Sequence, residues 1–177
     1  MAAMVFEEMK WSDGERKVQQ LMKVPYMDNP TVPMLSGGAS ALLSRSPILA
    51  VGAVDPKDGK VWTTIWGSDP GFARGIPQYE NTIALKVPVD NEYDPVVEAL
   101  MGQNGMGQEL KGKMVGALAI DLETRRRVKL FGRAIAGAMG QTEIQEREAA
   151  ELQLIINIEQ SLGVSLVSMH VNFEIIC

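Results

Sequence analysis

From Pro47 onward, short apolar or alternating runs are cut at close intervals by turn residues, and no other feature constrains the fold as much. "ILAVGAV" is an apolar run suited to a buried strand, and "DPKDGK" is a turn with Pro56 and Gly59 in suitable places. "VWTTIW" is rich in aromatic and β-branched residues and completes an antiparallel hairpin. "TIALKV" reads as a third strand closed by Pro88, "MVGALAIDL" as a fourth and "RVKLFGRAIAG" as a fifth. Gly132 inside the fifth marks a bulge or a close backbone approach. About five to seven short strands joined by tight turns close into a small barrel more readily than into a parallel α/β sheet. The expected class is mainly β with short helices, a small antiparallel split β-barrel.

The rest of the chain reads less cleanly. "WSDGERKVQQLMKV" has a capping box in Ser12 and Glu15 and a short apolar face of Val18, Leu21 and Met22. "MDNPTVPMLSGG" reads as a loop or arm, "ASALLSR" as a second short helix, and "DPVVEALMGQ" as a third. "GQNGMGQELKGK" reads as an exposed loop. Helix formers over residues 142–150 suggest a helix followed by a sixth strand through Ile158, with one unbroken helix as the alternative. The tail "VSMHVNFEII" alternates as a half-buried strand would. The expected division is an arm over residues 1–46, a barrel over 47–162 and a tail over 163–177.

Composition excludes some function classes. A formal net charge of −5 argues against a general nucleic-acid binder, which needs a basic face, but leaves room for one local basic pocket. Cys177 and His170 are each the only residue of their kind, so an internal disulfide, a thiolate metal site and a Ser-His-Asp triad all lack support. No metal site is expected. The opening "MAAMVFEEMKW" lacks the apolar run of a secretory signal, and no stretch has the length to span a bilayer. A cytoplasmic protein with no membrane partner is the expectation.

The basic stretch "ETRRRVKLFGR" carries the most chemistry. Arg125 and Arg126 fall in or beside a turn, where solvated charge is the ordinary reading. Arg127 and Lys129 share one side of a strand, with Val128 and Leu130 on the other. Two cations at that spacing can grip a phosphate from one face, or simply face water. In "VWTTIWG", Thr63 and Thr64 point to opposite sides, and Trp62, Thr64 and Trp66 share one. That side can wall a planar cofactor, or its tryptophans can fill a core or a dimer interface. Lys86 can reach the same anion as Lys129 if their strands are close, or stand in water. Phe72, after the corner "DPGF", can pack under a ligand or serve the fold alone. No phosphate-binding glycine loop is present.

Four stretches in order resemble the pyridoxamine 5'-phosphate oxidase-like, FMN-binding split-barrel family, in particular its small flavin-nucleotide-binding members. They are "WSDGERKVQ", "ILAVGAVDPKDGKVWTTIWGSDPGF", "GALAIDLETRRRVKLFGRA" and "ELQLIINIEQSLG", and the likeness spans roughly residues 10–162. The resemblance implies a homodimer with FMN at the subunit interface. It matches Trp62, Thr63 and Thr64 to the strand that lines the flavin, and Lys86 to a position that is basic in true oxidases. It sets Arg127 and Lys129 in the hairpin close to the cofactor, and it implies a strand over "ELQLIINIEQ". After Gly163 the chain departs from the family. The Asn-Cys-Pro-Lys-Tyr type of signature is absent and "VSLVSMHVNFEIIC" stands in its place, which bears on pocket closure and dimer formation.

The expected function is therefore an FMN-binding, oxidoreductase-like protein with an unknown small-molecule substrate and no identifiable catalytic acid or base. Pyridoxamine phosphate is disfavoured as substrate, because the extra basic and histidine residues of the true oxidase are not found here. The alternatives are a flavin-binding module without turnover and a ligand-free dimeric barrel with a structural or interaction role. Whether the chain is an enzyme stays open.

Overall fold

The structure, a computed structural model, describes residues 9–25, 28–102, 110–144 and 147–164. Most of the "GQNGMGQELKGK" loop and the tail from residue 165 lie outside the described residues.

Each of the three short helices starts where a side chain satisfies the free amides of its first turn. Helix α1 (Asp13–Leu21) has the expected capping box: the Ser12 hydroxyl accepts from the Glu15 amide and Glu15 accepts from the Ser12 amide at 2.9 Å. Its apolar face is not buried: Leu21 and Met22 remain 75% and 69% exposed. Helix α2 (Gly37–Leu43) is capped by Ser36 and buries Ala39, Leu42 and Leu43. Helix α3 (Pro95–Met101) begins at Asp94, whose carboxylate accepts from the Val96 and Val97 amides, and Pro95 occupies a position with no amide to satisfy. It sinks Val96, Val97, Leu100 and Met101 into the core.

The strands are β1 (Ile48–Val54), β2 (Val61–Gly67), β3 (Ala73–Gly75), β4 (Thr82–Val89), β5 (Met114–Ile120), β6 (Arg127–Ile144) and β7 (Arg147–Val164). They form one antiparallel sheet in the order β2-β1-β5-β6-β7-β4-β3. The sheet curls until β2 touches β4, yet no ladder joins them. The fold is mainly β with short helices, an antiparallel split barrel. Inside it Leu49, Val51, Ile83, Leu85, Leu152, Leu154 and Ile156 form the centre of the core, each contributing about 1.5–3 kcal/mol by leaving water.

Two expectations need correction. The helix expected over residues 142–150 is strand on both sides of residues 145–146: β6 and β7 pair from Arg127↔Val164 to Ile144↔Arg147. Local helix preference among Glu, Gln and Ala is a weak bias, and a continuing ladder overrides it. The third strand does not stop before Pro88 but runs through it to Val89, with Pro88 opposite Glu151. The Lys86 amide donates toward β3, to the Phe72 carbonyl. The nitrogen of Pro88, two residues on, therefore faces the same side beyond the end of β3, where no donor is required. The three-residue β3 has no sequence signal of its own.

Gly132 fulfils both parts of its expectation. The ladder shifts register between Phe131 and Gly132, and the backbone of Asn157 and Ile158 lies where a side chain would start.

Candidate functional site

Alternation in β1 buries Leu49, Val51 and Ala53 and turns Ala50, Gly52 and Val54 to the outside of the barrel. Register carries that outer face across the sheet. Thr63 stands opposite Gly52, Gly52 opposite Gly116, Gly116 opposite Phe131, and Phe131 opposite Gln160. In the next row Ile65, Ala50, Leu118, Lys129 and Leu162 follow one another in the same way.

Two glycines side by side on neighbouring strands leave the middle of this face without side chains. A Cβ on Gly116 would meet no atom within 4 Å. The result is an apolar trough of about 630 Å³, with Val54, Val61, Met114 and Phe131 among its walls and Thr63 and Lys129 among its few polar groups. Its volume lies within the range of small-molecule sites, whose walls are mostly apolar with few polar groups. No Asp, Glu or His lines it among the described residues. The trough can receive a flat, largely apolar group, offer it hydroxyls that donate or accept, Thr63 among them, and attract negative charge with the Lys129 ammonium.

The six sequence-derived candidates fall in several places. Thr63 and Lys129 meet in the trough. Trp62 and Thr64 point to the barrel side of β2. Trp66 on that side is 3% exposed, and its indole Nε1 donates to Asp94 Oδ2 at 2.8 Å, tying β2 to the cap of α3. Trp66 therefore belongs to the core. Trp62, near the strand start, remains 42% exposed.

Lys86 is separated from β6 by β7 and forms an ion pair with Glu151 at 3.1 Å. The Glu151 carboxyl is held below its ordinary value first by the Gln153 amide that donates to it; burial opposes this, and Lys86 and then the Thr142 hydroxyl add lesser lowering effects. Lys86 and Glu151 help line a larger cavity of about 1160 Å³, together with Phe72, Arg74 and Gln153. Arg127 shares the outward side of β6 with Lys129 but lines a separate small cavity beside α2. Arg133, whose direction was open, donates to Glu159 Oε1 at 3.0 Å and to the Gly112 carbonyl at 3.1 Å.

Sequence reading missed Gly52, Gly116, Phe131 and Gln160. The signal was available in "ILAVGAV" and "MVGALAI", each with a glycine at an alternating position, but only the register reveals that the two meet. Among the described residues, no group of three or more His, Cys, Asp or Glu is arranged to hold a metal, and no helix is long and apolar enough to cross a membrane.

No family model matches the chain, and no curated protein does. Solved structures similar in shape include an F420 reductase, at 11% identity over 71% of this chain and 97% of that one, with a TM-score of 0.44. An FAD and heme binding protein from Mycobacterium smegmatis matches at 15% identity over 78% of this chain and 74% of its own, TM-score 0.43. A Clostridium acetobutylicum protein described as of the pyridoxinephosphate oxidase family matches at 10% identity over 73% of this chain and 87% of its own, TM-score 0.38. Likeness at this level carries no conclusion about ligand or activity.

Proposed function

We propose that the chain binds FMN in the outer trough, as a flavin-binding, oxidoreductase-like protein with a small-molecule substrate. The observation that carries this reading is the convergence of Thr63 and Lys129 over the bare floor of Gly52 and Gly116. Gly52 and Gly116 would let a ring approach the backbone, and Phe131 and Val61 would shield its edges from water. Thr63 would hold a ring carbonyl or phosphate oxygen, and Lys129 would balance the negative charge of the phosphate. FMN, when bound, would supply the electron-transfer chemistry, which this chain's own residues do not.

The trough is open on one side, and apolar Val61 and Met114 remain 67% and 43% exposed on its walls. A second copy of the chain is the proposed cover, which makes the functional unit a homodimer. A second reading is a flavin-binding module without turnover. Both readings predict a yellow protein, or quenching of FMN fluorescence on titration. Bleaching of the bound flavin by NADH or NADPH separates the enzyme from the module. Lys129→Ala should weaken FMN at least about tenfold, the effect of losing one charge-assisted hydrogen bond, and riboflavin much less. Equal losses for the two ligands would remove Lys129 from phosphate binding, and no quenching by FMN at all would end the proposal.

A further inference from the structure

A cavity of about 250 Å³ lies between α2 and the start of β6, and Arg45, Arg126 and Arg127 all line it, with Ser36, Gly38 and Gly163 completing much of the wall. No carboxylate lines it among the described residues. Three like charges therefore gather around one space in a chain whose net charge is −5.

None of the three arginines forms an ion pair among the described residues. The acid that could neutralise them, Asp121, is engaged within its own turn. It accepts from the Thr124 hydroxyl at 2.6 Å and from the amides of Glu123 and Thr124. These bonds, those of Thr124 first, lower the pKa of its carboxyl, and Arg45 adds only a minor attraction.

The three side chains also start from fixed points. Arg45 Nε donates to the Ala41 carbonyl at 3.1 Å, which leaves the rest of its fork for another acceptor. The Arg126 carbonyl accepts from the Asp121 amide at 2.9 Å and closes the turn, while Arg125 takes the left-handed conformation, with φ of 58°. Arg127 is held in the ladder opposite Ile120. Like charges so arranged repel one another unless an anion joins them.

We propose that this cavity is a phosphate site, distinct from the trough, that takes a phosphomonoester or free phosphate dianion. The volume has room for one tetrahedral oxyanion and a small organic substituent on it. Guanidinium forks match the oxygens of phosphate, and three of them exceed what a single carboxylate would call for.

The test is calorimetric titration of the full chain with inorganic phosphate and, separately, with glycerol 3-phosphate, against sodium chloride at matched ionic strength. Saturable binding of phosphate but not chloride is expected. Arg45→Gln and Arg126→Gln should each weaken it roughly tenfold or more, as expected when a hydrogen bond to a charged group is lost. Circular dichroism verifies the fold of each variant, and either arginine variant alone suffices if the other misfolds. Tighter binding of the ester identifies a phosphorylated metabolite as the ligand, and tighter binding of inorganic phosphate identifies the free ion. Binding indistinguishable from chloride, or unchanged affinity in the folded arginine variants, would overturn the proposal. None of these readouts requires that the flavin reading be correct.

Discussion

Adding one methyl group at Gly132 should damage this protein more than adding one at Gly116, although both glycines lie in the same sheet. At Gly132 the new Cβ would collide with the carbonyl oxygen of Asn157, and would stand 2.9 Å from its carbonyl carbon and 3.0 Å from Ile158 Cα. Carbon atoms rest at about 3.5–4.0 Å, so the neighbouring strand must retreat. It cannot do so freely, because Asn157 and Ile156 are also paired with Thr82 and Ile83 of β4. Overpacking by one methyl costs about 1–3 kcal/mol, and one or two strained ladder bonds add about 0.5–1.5 kcal/mol each. The stiffer unfolded chain returns about 0.4–1 kcal/mol. The net loss for Gly132→Ala is therefore about 0.5–5.5 kcal/mol, centred near 3 kcal/mol, which at about 2 kcal/mol/M lowers the urea midpoint by roughly 1.5 M. At Gly116 no atom lies within 4 Å of the added carbon, so only the favourable unfolded-state effect remains and the midpoint should rise slightly. Urea unfolding followed by circular dichroism measures both. A Gly132→Ala protein with an unchanged or higher midpoint would show that β7 is not held in place as argued.

Gly116→Leu should fill the floor of the trough and weaken FMN by at least about tenfold while leaving the unfolding free energy within about 0.5 kcal/mol of the parent, since the position is on the surface; fluorescence titration and urea unfolding check the two halves. Trp66→Phe should cost about 1.5–3 kcal/mol, because it strips Asp94 of a bond from a buried indole, and thermal unfolding measures it. The carboxyl of Glu151 has a folded pKa below its ordinary value, so its stabilisation is present above the ordinary carboxylate range and disappears as pH falls through the folded value. Urea midpoints between about pH 6 and about pH 3 should fall more steeply in the parent than in Glu151→Gln.

Those residues also mark how far sequence reasoning reached. The first hairpin was legible because turn chemistry and β-branched content agree over Ile48–Gly67. The arginine-tipped hairpin was legible for the same reason, and Gly132 correctly announced a close approach. The far half of the β6–β7 ribbon was not, because its Glu, Gln and Ala favour a helix in isolation and only cross-strand pairing overrules them. At the site, alternation showed that Thr63 and Thr64 part ways but not which side holds the trough. Trp66, which alternation left as a cofactor wall or a core residue, is bound to Asp94 and buried. A site whose floor is the absence of side chains leaves little trace in a sequence until the strands are aligned.

The β6–β7 ribbon bears on the order in which the chain assembles. Its partners are neighbours in sequence near Ile144 and Arg147, so pairing can begin there and zip outward with little loop entropy lost at each step. Strand β4 must instead find β7 across a long intervening stretch, joining Thr82 to Asn157. The segment that looks most helical in isolation thus becomes the natural seed for assembling the barrel, and the strands that complete its two ends arrive on a template already laid down.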